Sequence, residues 1–272
     1  MKKSKLSVAL LTACMAATLL AGCGDKKTET TEATTEATTE ATTEAATTTE
    51  ATVADATASE AEDDENYETG DASLDNVRNQ DEIGDNELLV VSFGTSFNDS
   101  RRLTIGAIED KLDEEFGKDY SVRRGFTSQI IIDHVKSRDG IAIDNMAEAL
   151  DRAVDNGVKN LVIQPTHLMN GLEYTDVVNE VGDYADAFDQ VVIGDPLLTS
   201  DEDFDEVVKA ITDATAEYDD GETAICFMGH GTEADSNEVY QKMQDKLTDA
   251  GFENYFVGTV EATPSVDDVL AK

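Results

Sequence analysis

The 272 residues include only three histidines, and two of them stand where α/β proteins do their chemistry. His230 lies in Phe227-Met228-Gly229-His230-Gly231, directly after the apolar run Ala224-Ile225-Cys226-Phe227-Met228. That run is short, apolar on both sides and followed by a Gly-rich turn, so it reads as a buried parallel strand with Cys226 as a small core residue. His230 then sits at a strand's carboxyl end, the edge of an open sheet where ligands bind. Val257-Gly258-Thr259-Val260-Glu261 has the same construction one helix later. If the two strands are parallel neighbours, His230 and Glu261 emerge side by side. An imidazole beside a carboxylate suits a divalent metal or a proton transfer.

His167 repeats this placement, following the strand Asn160 to Gln164 in the stretch Pro165-Thr166-His167-Leu168-Met169-Asn170-Gly171-Leu172-Glu173-Tyr174. Glu173 begins the next helix, where its charge suits the positive helix end or serves the site. His134 falls within a helix body and reads as structural.

The elements that position these residues alternate regularly. Leu88-Leu89-Val90-Val91 forms a first buried strand, turning through Gly94-Thr95-Ser96 into a helix from about Asp99 to Phe116. Ser121 to Phe126 is the second strand, followed by a helix carrying Ile130 to Val135. Met146, Leu150, Ala153 and Val154 make the stripe of an amphipathic helix with Asp144 as its N-cap. Val191-Val192-Ile193 is a fourth strand, and Asp201 to Tyr218 is helical. Strand-helix alternation at this spacing predicts a parallel, doubly wound sheet. Val90 to Thr95 and Phe227 to Thr232 both place a small-X-Gly-Thr turn after an apolar strand, which points to two related α/β halves with a cleft between them. The last helix starts at Thr263-Pro264-Ser265, with Thr263 as N-cap and Pro264 at the first helical position. It stops at Lys272 without a following strand, so the second half is expected to be incomplete.

The first third of the chain contributes nothing to this core. Lys2, Lys3 and Lys5 precede an apolar run from Leu6 to Leu20, too short for a conventional membrane span and expected to be a secretory signal over residues 1–22. It closes with Leu20-Ala21-Gly22-Cys23, which resembles a bacterial lipoprotein processing site with Cys23 as the acylated residue. Acyl chains at about 0.8 kcal/mol per buried CH2 would hold the mature protein extracytoplasmic and lipid-anchored to the cell membrane. Residues 23–86 are rich in Thr, Glu, Ala and Asp; their Thr-Thr-Glu-Ala repeat sets glutamates four apart, where like charges on a helix repel. The expectation is a disordered tether. The net charge of -39 excludes a phosphate-backbone partner and hence nucleic-acid binding. A first α/β domain is placed at 87–218 and a truncated second at 219–272; a homo-oligomer is compatible with the sequence.

Taken in order, the motifs resemble the anaerobic-type sirohydrochlorin cobaltochelatases, members of the class II chelatases. The resemblance runs nearly continuously from Leu88 to Leu270. It covers Leu89-Val90-Val91-Ser92-Phe93-Gly94-Thr95-Ser96, Phe126-Thr127-Ser128, Arg138-Asp139-Gly140-Ile141, Gln164 with His167, Asn170 to Tyr174, Pro196-Leu197-Leu198, Phe227 to Gly231, and Val257-Gly258 with Val260-Glu261. It implies a chelatase-like fold of two Rossmann-like parallel-sheet halves, here with the second incomplete, and the tetrapyrrole in the cleft. It implies ATP-independent insertion of Co2+ into sirohydrochlorin in cobalamin biosynthesis, with cobalt as substrate metal and no organic cofactor. His230 and Glu261 match family metal ligands, with His230 also the catalytic residue; the family's further His falls in a segment this sequence lacks. His167 and Glu173 match substrate-side positions. Because the substrate is rich in carboxylates, cations are expected nearby. Of Arg101, Arg102, Arg123 and Arg124, the favoured residue is Arg124, a solvated surface role being the alternative. A surface-tethered, non-catalytic binder of tetrapyrrole or metal on the same scaffold is the second reading.

Overall fold

The structure, a computed structural model, describes residues 68–271. The signal segment, Cys23 and most of the tether lie outside the described residues.

Four parallel strands form the main sheet in the order β2-β1-β3-β4: β1 Asn86–Ser92, β2 Ser121–Phe126, β3 Asn160–Pro165 and β4 Gln190–Ile193. Leu88, Leu89, Val90 and Val91 of β1 are all buried, as a central parallel strand covered on both faces requires. On one face Leu89, Val91, Leu161 and Ile163 pack against helices α4 (Met146–Asp155) and α5 (Leu172–Tyr184). On the other, Leu88, Val90 and Val122 meet Leu112 of α2 (Ile105–Phe116). A helix α3 (Gln129–Asp139) follows β2.

The single helix expected after β1 is two, α1 (Asn98–Leu103) and α2, broken at Thr104 with φ -111° and ψ -77°. The Thr104 hydroxyl donates to the Ser100 carbonyl at 2.7 Å, a local side-chain bond that competes with helix continuation. Asp144 is not the cap of α4. Asn145 caps it in a capping box with Glu148, while Asp144 turns inward to Arg123 and Arg152.

The second sheet has two parallel strands, β5 (Ile225–Gly229) and β6 (Tyr255–Thr259). Its core joins Tyr255 and Val257 to Tyr240, Met243 and Leu247 of α7 (Glu238–Asp249), and to Phe204 and Val208 of α6 (Asp201–Thr215). Leu198, and Met169 before it, also pack against this core. The expectation of a strand buried on both sides does not hold for β5. Phe227 faces the core, but Cys226 is exposed and Met228 is 72% exposed, because on that face the short helix Val266–Leu270 lies over β6, where a Cβ on Gly258 would meet Val269 at 3.0 Å, and β5 is left open. The last helix α8 (Val266–Leu270) is capped by Ser265 with Asp268, not by Thr263; Thr263-Pro264 is a cis peptide in the turn before it.

The segment 68–85, expected to end the tether, is instead docked along the outer edge of β2. Arg124 N–H donates to the Arg78 carbonyl at 3.1 Å, Gln80 reaches the Val122 carbonyl at 3.3 Å, and the Ser121 hydroxyl donates to the Ile83 carbonyl. The edge strand's unpaired backbone groups, which favour aggregation when left open, are thereby occupied.

Candidate active site at the strand ends

β5 and β6 end in register, Gly229 beside Thr259, and the turns beyond them are bonded main chain to main chain. The Glu261 N–H donates to the His230 carbonyl at 2.9 Å, and Val260 N–H to the Gly229 carbonyl at 3.0 Å. His230 and Glu261 therefore project from neighbouring turns, with His230 Nδ1 3.9 Å from Glu261 Oε2. The sequence spacing had placed them side by side, and the structure does so.

Glycine on both sides of His230 is a packing requirement. A Cβ on Gly229 would lie 2.2 Å from the Tyr240 ring, and one on Gly231, at φ +91°, would lie 2.8 Å from Ala262. Glycine thus lets the two turns close on each other.

His230 Nδ1 is 3.0 Å from the Gly231 carbonyl. Since a carbonyl only accepts, Nδ1 carries the hydrogen, and the lone pair of Nε2 is left for a metal or a proton. The imidazole and carboxylate side chains are 76% and 65% exposed, so both present their donor atoms to solvent. Among the described residues no group of three or more His, Cys, Asp or Glu is arranged to hold a metal ion. The pair offers two protein donor groups on one open edge.

His167 stands at the carboxyl end of β3. Its backbone carbonyl accepts the Leu197 N–H at 3.0 Å, and its ring centroid lies 6.5 Å from that of Tyr174. Both ring nitrogens are buried and without hydrogen-bond partners, and burial holds the imidazole below its ordinary pKa, with Glu173 opposing weakly. An unsatisfied buried polar group costs about 1–3 kcal/mol, so a ring left in this state calls for an explanation.

Glu173 lies in the first turn of α5 and lines a cavity of about 380 Å³ with Phe93, Thr127, Gln129, Asp176 and Glu180. Burial, with Asp176 and Asp183 adding to it, pushes the Glu180 carboxyl up. The loop before α5 meets the turn after β5: a Cβ on Gly171 would sit 3.7 Å from Glu173 Oε2 and 3.6 Å from Ser236 Oγ. Ser236, in the loop after β5, thus lies against the loop that leads into Glu173.

Arg124 is elsewhere. Arg123 and Arg124 are successive residues of β2, so they point to opposite faces of the sheet. Arg123 meets Glu87 at 3.0 Å and Asp144 at 2.6 Å; Arg124 holds Glu109 at 2.6 Å and Asp75 at 2.7 Å. Arg124 is fully ion-paired and buried, and the expected role toward a substrate carboxylate is withdrawn. Arg101 is spent in the same way on Asp75, Thr95 and Asn98. Sequence reasoning missed Asp75, Arg78 and the segment carrying them, because their partners lie tens of residues away. It also missed Asn237, although Asp235-Ser236-Asn237 just before a helix is a readable polar signal.

Proteins of named activity are similar to this chain. The sirohydrochlorin cobaltochelatase of Salmonella typhimurium is 36% identical over 183 residues, spanning 67% of this chain and 68% of that protein. The sirohydrochlorin cobaltochelatase CbiKC of Nitratidesulfovibrio vulgaris is 24% identical over 202 residues, spanning 73% and 70%. The family model described as cobalt chelatase (CbiK) matches residues 86–272, taking in every strand among the described residues and both turns that carry His230 and Glu261. With parallel strands ending in a Gly-His-Gly turn beside a glutamate, and a family match over most of its length, the chain belongs to the cobalt chelatase (CbiK) family.

Proposed function

We propose that this protein inserts Co2+ into sirohydrochlorin, without ATP, as a step of cobalamin biosynthesis. The observation that carries the reading is the His230–Glu261 pair at 3.9 Å, held by backbone bonds between its two turns. Cobalt is the substrate metal here, and no organic cofactor is called for.

The geometry supports a transfer in which ions and protons exchange places. Co2+ approaches with its waters and is taken by Nε2 of His230 and a carboxylate oxygen of Glu261, borderline and hard donors that bind it less tenaciously than thiolates would. As the ion passes to the macrocycle, two pyrrole N–H protons have to leave. Each protein ligand that releases the ion regains a free lone pair, so His230 and Glu261 each take one proton and pass it to solvent. His167 and Glu173 are the substrate-side groups of this reading, His167 because its desolvated nitrogens lack protein partners. Cys23 in Leu20-Ala21-Gly22-Cys23 supports a lipid-anchored, extracytoplasmic location, which would bring the reaction to a membrane surface.

The test is anaerobic absorbance spectroscopy of the protein with sirohydrochlorin and Co2+, beside the His230→Ala variant. The parent is expected to accelerate metallation, and the variant to lose about 100-fold or more of that acceleration. If both match the protein-free control while the tetrapyrrole spectrum still shifts on binding, the protein is a binder and the catalytic reading fails.

A further inference from the structure

One side chain touches both ligand-bearing loops. Asn237 closes the 3-10 turn Asp235–Asn237 between β5 and α7. Its Oδ1 accepts the N–H of Thr232, two residues beyond His230, at 3.1 Å. Its Nδ2 donates to the carbonyl of Thr263, two residues beyond Glu261, at 2.8 Å. The main-chain bonds from Val260 and Glu261 fix the two loops where they leave the sheet, and Asn237 ties them again at their far ends. Between these ties lie His230 and Glu261.

The turn is itself anchored. The Thr232 hydroxyl accepts the Ala234 N–H at 3.2 Å, and the neighbouring Ser236 sets its Oγ, buried and without a partner, against Gly171 ahead of α5. Asparagine is the residue type this position needs. It must accept at one end and donate at the other, which aspartate cannot do and serine is too short to do.

We propose that Asn237 is a positioning residue for the His230–Glu261 pair, holding the two loops so that both side chains address one ion. This rests on the chelatase reading. Loss of the clamp is expected to act on the metal geometry more than on the fold, since the strands, α7 and the main-chain bonds are untouched.

The test titrates Co2+ into the protein without tetrapyrrole, following the visible d–d absorption of the bound ion, and then measures insertion kinetics. Asn237→Ala is expected to weaken Co2+ binding about tenfold, to alter the d–d spectrum, and to lower kcat with the KM for sirohydrochlorin unchanged. Asn237→Asp, which keeps the bond to Thr232 and loses the one to Thr263, should fall between parent and Asn237→Ala; it carries the test if the alanine variant does not fold. Ser200→Ala, which breaks the capping box of α6 and bonds to neither turn, controls for a general loss of stability and should leave the spectrum unchanged. Retention of the parent's Co2+ affinity and spectrum by Asn237→Ala overturns the proposal, as does a parent with no His230-dependent Co2+ spectrum. A parent that binds Co2+ through His230 yet inserts none refutes the chelatase reading and leaves the clamp standing.

Discussion

Replacing Asp75 by alanine should cost about 3–5 kcal/mol of stability, although Asp75 lies ahead of the region that matches the family. Asp75 Oδ2 is 2.6 Å from Arg101 Nε and 2.7 Å from Arg124 Nη1, and its side chain is 2% exposed. Both arginine side chains are wholly buried. With Glu109 on the other side of Arg124, Asp75 is one of two buried carboxylates set among the three buried guanidinium groups of Arg78, Arg101 and Arg124, and Asp110 and Asp113 add their charges at Arg78. Alanine removes one negative charge and leaves an uncompensated cation in the interior, the circumstance in which breaking a buried ion pair is most costly. Asparagine should do little better, because its amide points donors at a guanidinium. Burial alone would raise the Asp75 carboxyl, but the hydrogen bonds and charges of Arg124 and Arg101 outweigh it and hold the group below the usual range. Its contribution is therefore complete above the ordinary carboxylate pKa and is lost as pH falls through the lowered value. The assay is urea denaturation at pH 7: with a slope of about 2 kcal/mol/M, the midpoint should fall by about 1.5–2.5 M at constant slope. A shift of less than about 0.5 M would mean that the docked segment is not part of the fold's charge balance.

Two further outcomes follow from buried titratable groups. Burial pushes Glu87 up to about 7, Arg123 only partly offsetting it, so the fold binds a proton that the unfolded chain releases near 4.5. Stability should fall by up to about 3 kcal/mol between those values as pH rises, and Glu87→Gln should flatten that decline, as urea midpoints at pH 5 and pH 8 will show. His167→Phe removes two nitrogens that have no partners, so the melting temperature should hold or rise while sirohydrochlorin binding weakens; a melting temperature several degrees lower would show that the imidazole is satisfied in the resting fold.

Strand ends were legible because parallel strands announce themselves locally, as short apolar runs stopped by Gly-rich turns. His230 and Glu261 could be placed together because the same pattern occurs twice, one helix apart, and parallel neighbours keep their ends in register. Arg124 was not legible: Asp75, which neutralises it, is 49 positions away in a stretch whose composition reads as tether. Composition describes what a segment can bury, and residues 68–85 bury little apolar surface apart from Ile83; charge and edge-strand hydrogen bonds hold them. Cys226 failed for a related reason. An apolar run predicts burial on both faces, but whether a second layer covers β5 depends on the rest of the sheet.

The site combines a stiff frame with loosely presented ligands, and the two properties come from different atoms. The frame is main chain: Glu261 N–H on the His230 carbonyl, and glycines that let Tyr240 and Ala262 press against the turn. The side chains that the chelatase reading makes ligands, His230 and Glu261, stand mostly in solvent. A structural zinc site does the reverse, closing four protein donors around its ion so that nothing exchanges. On that reading, an ion taken at this open edge would be released without unmaking the protein, and the next would find the same atoms in the same place. Adding a further strong donor beside the pair should therefore raise Co2+ affinity and slow turnover together, because the ion that binds best at this edge is the one that leaves it last.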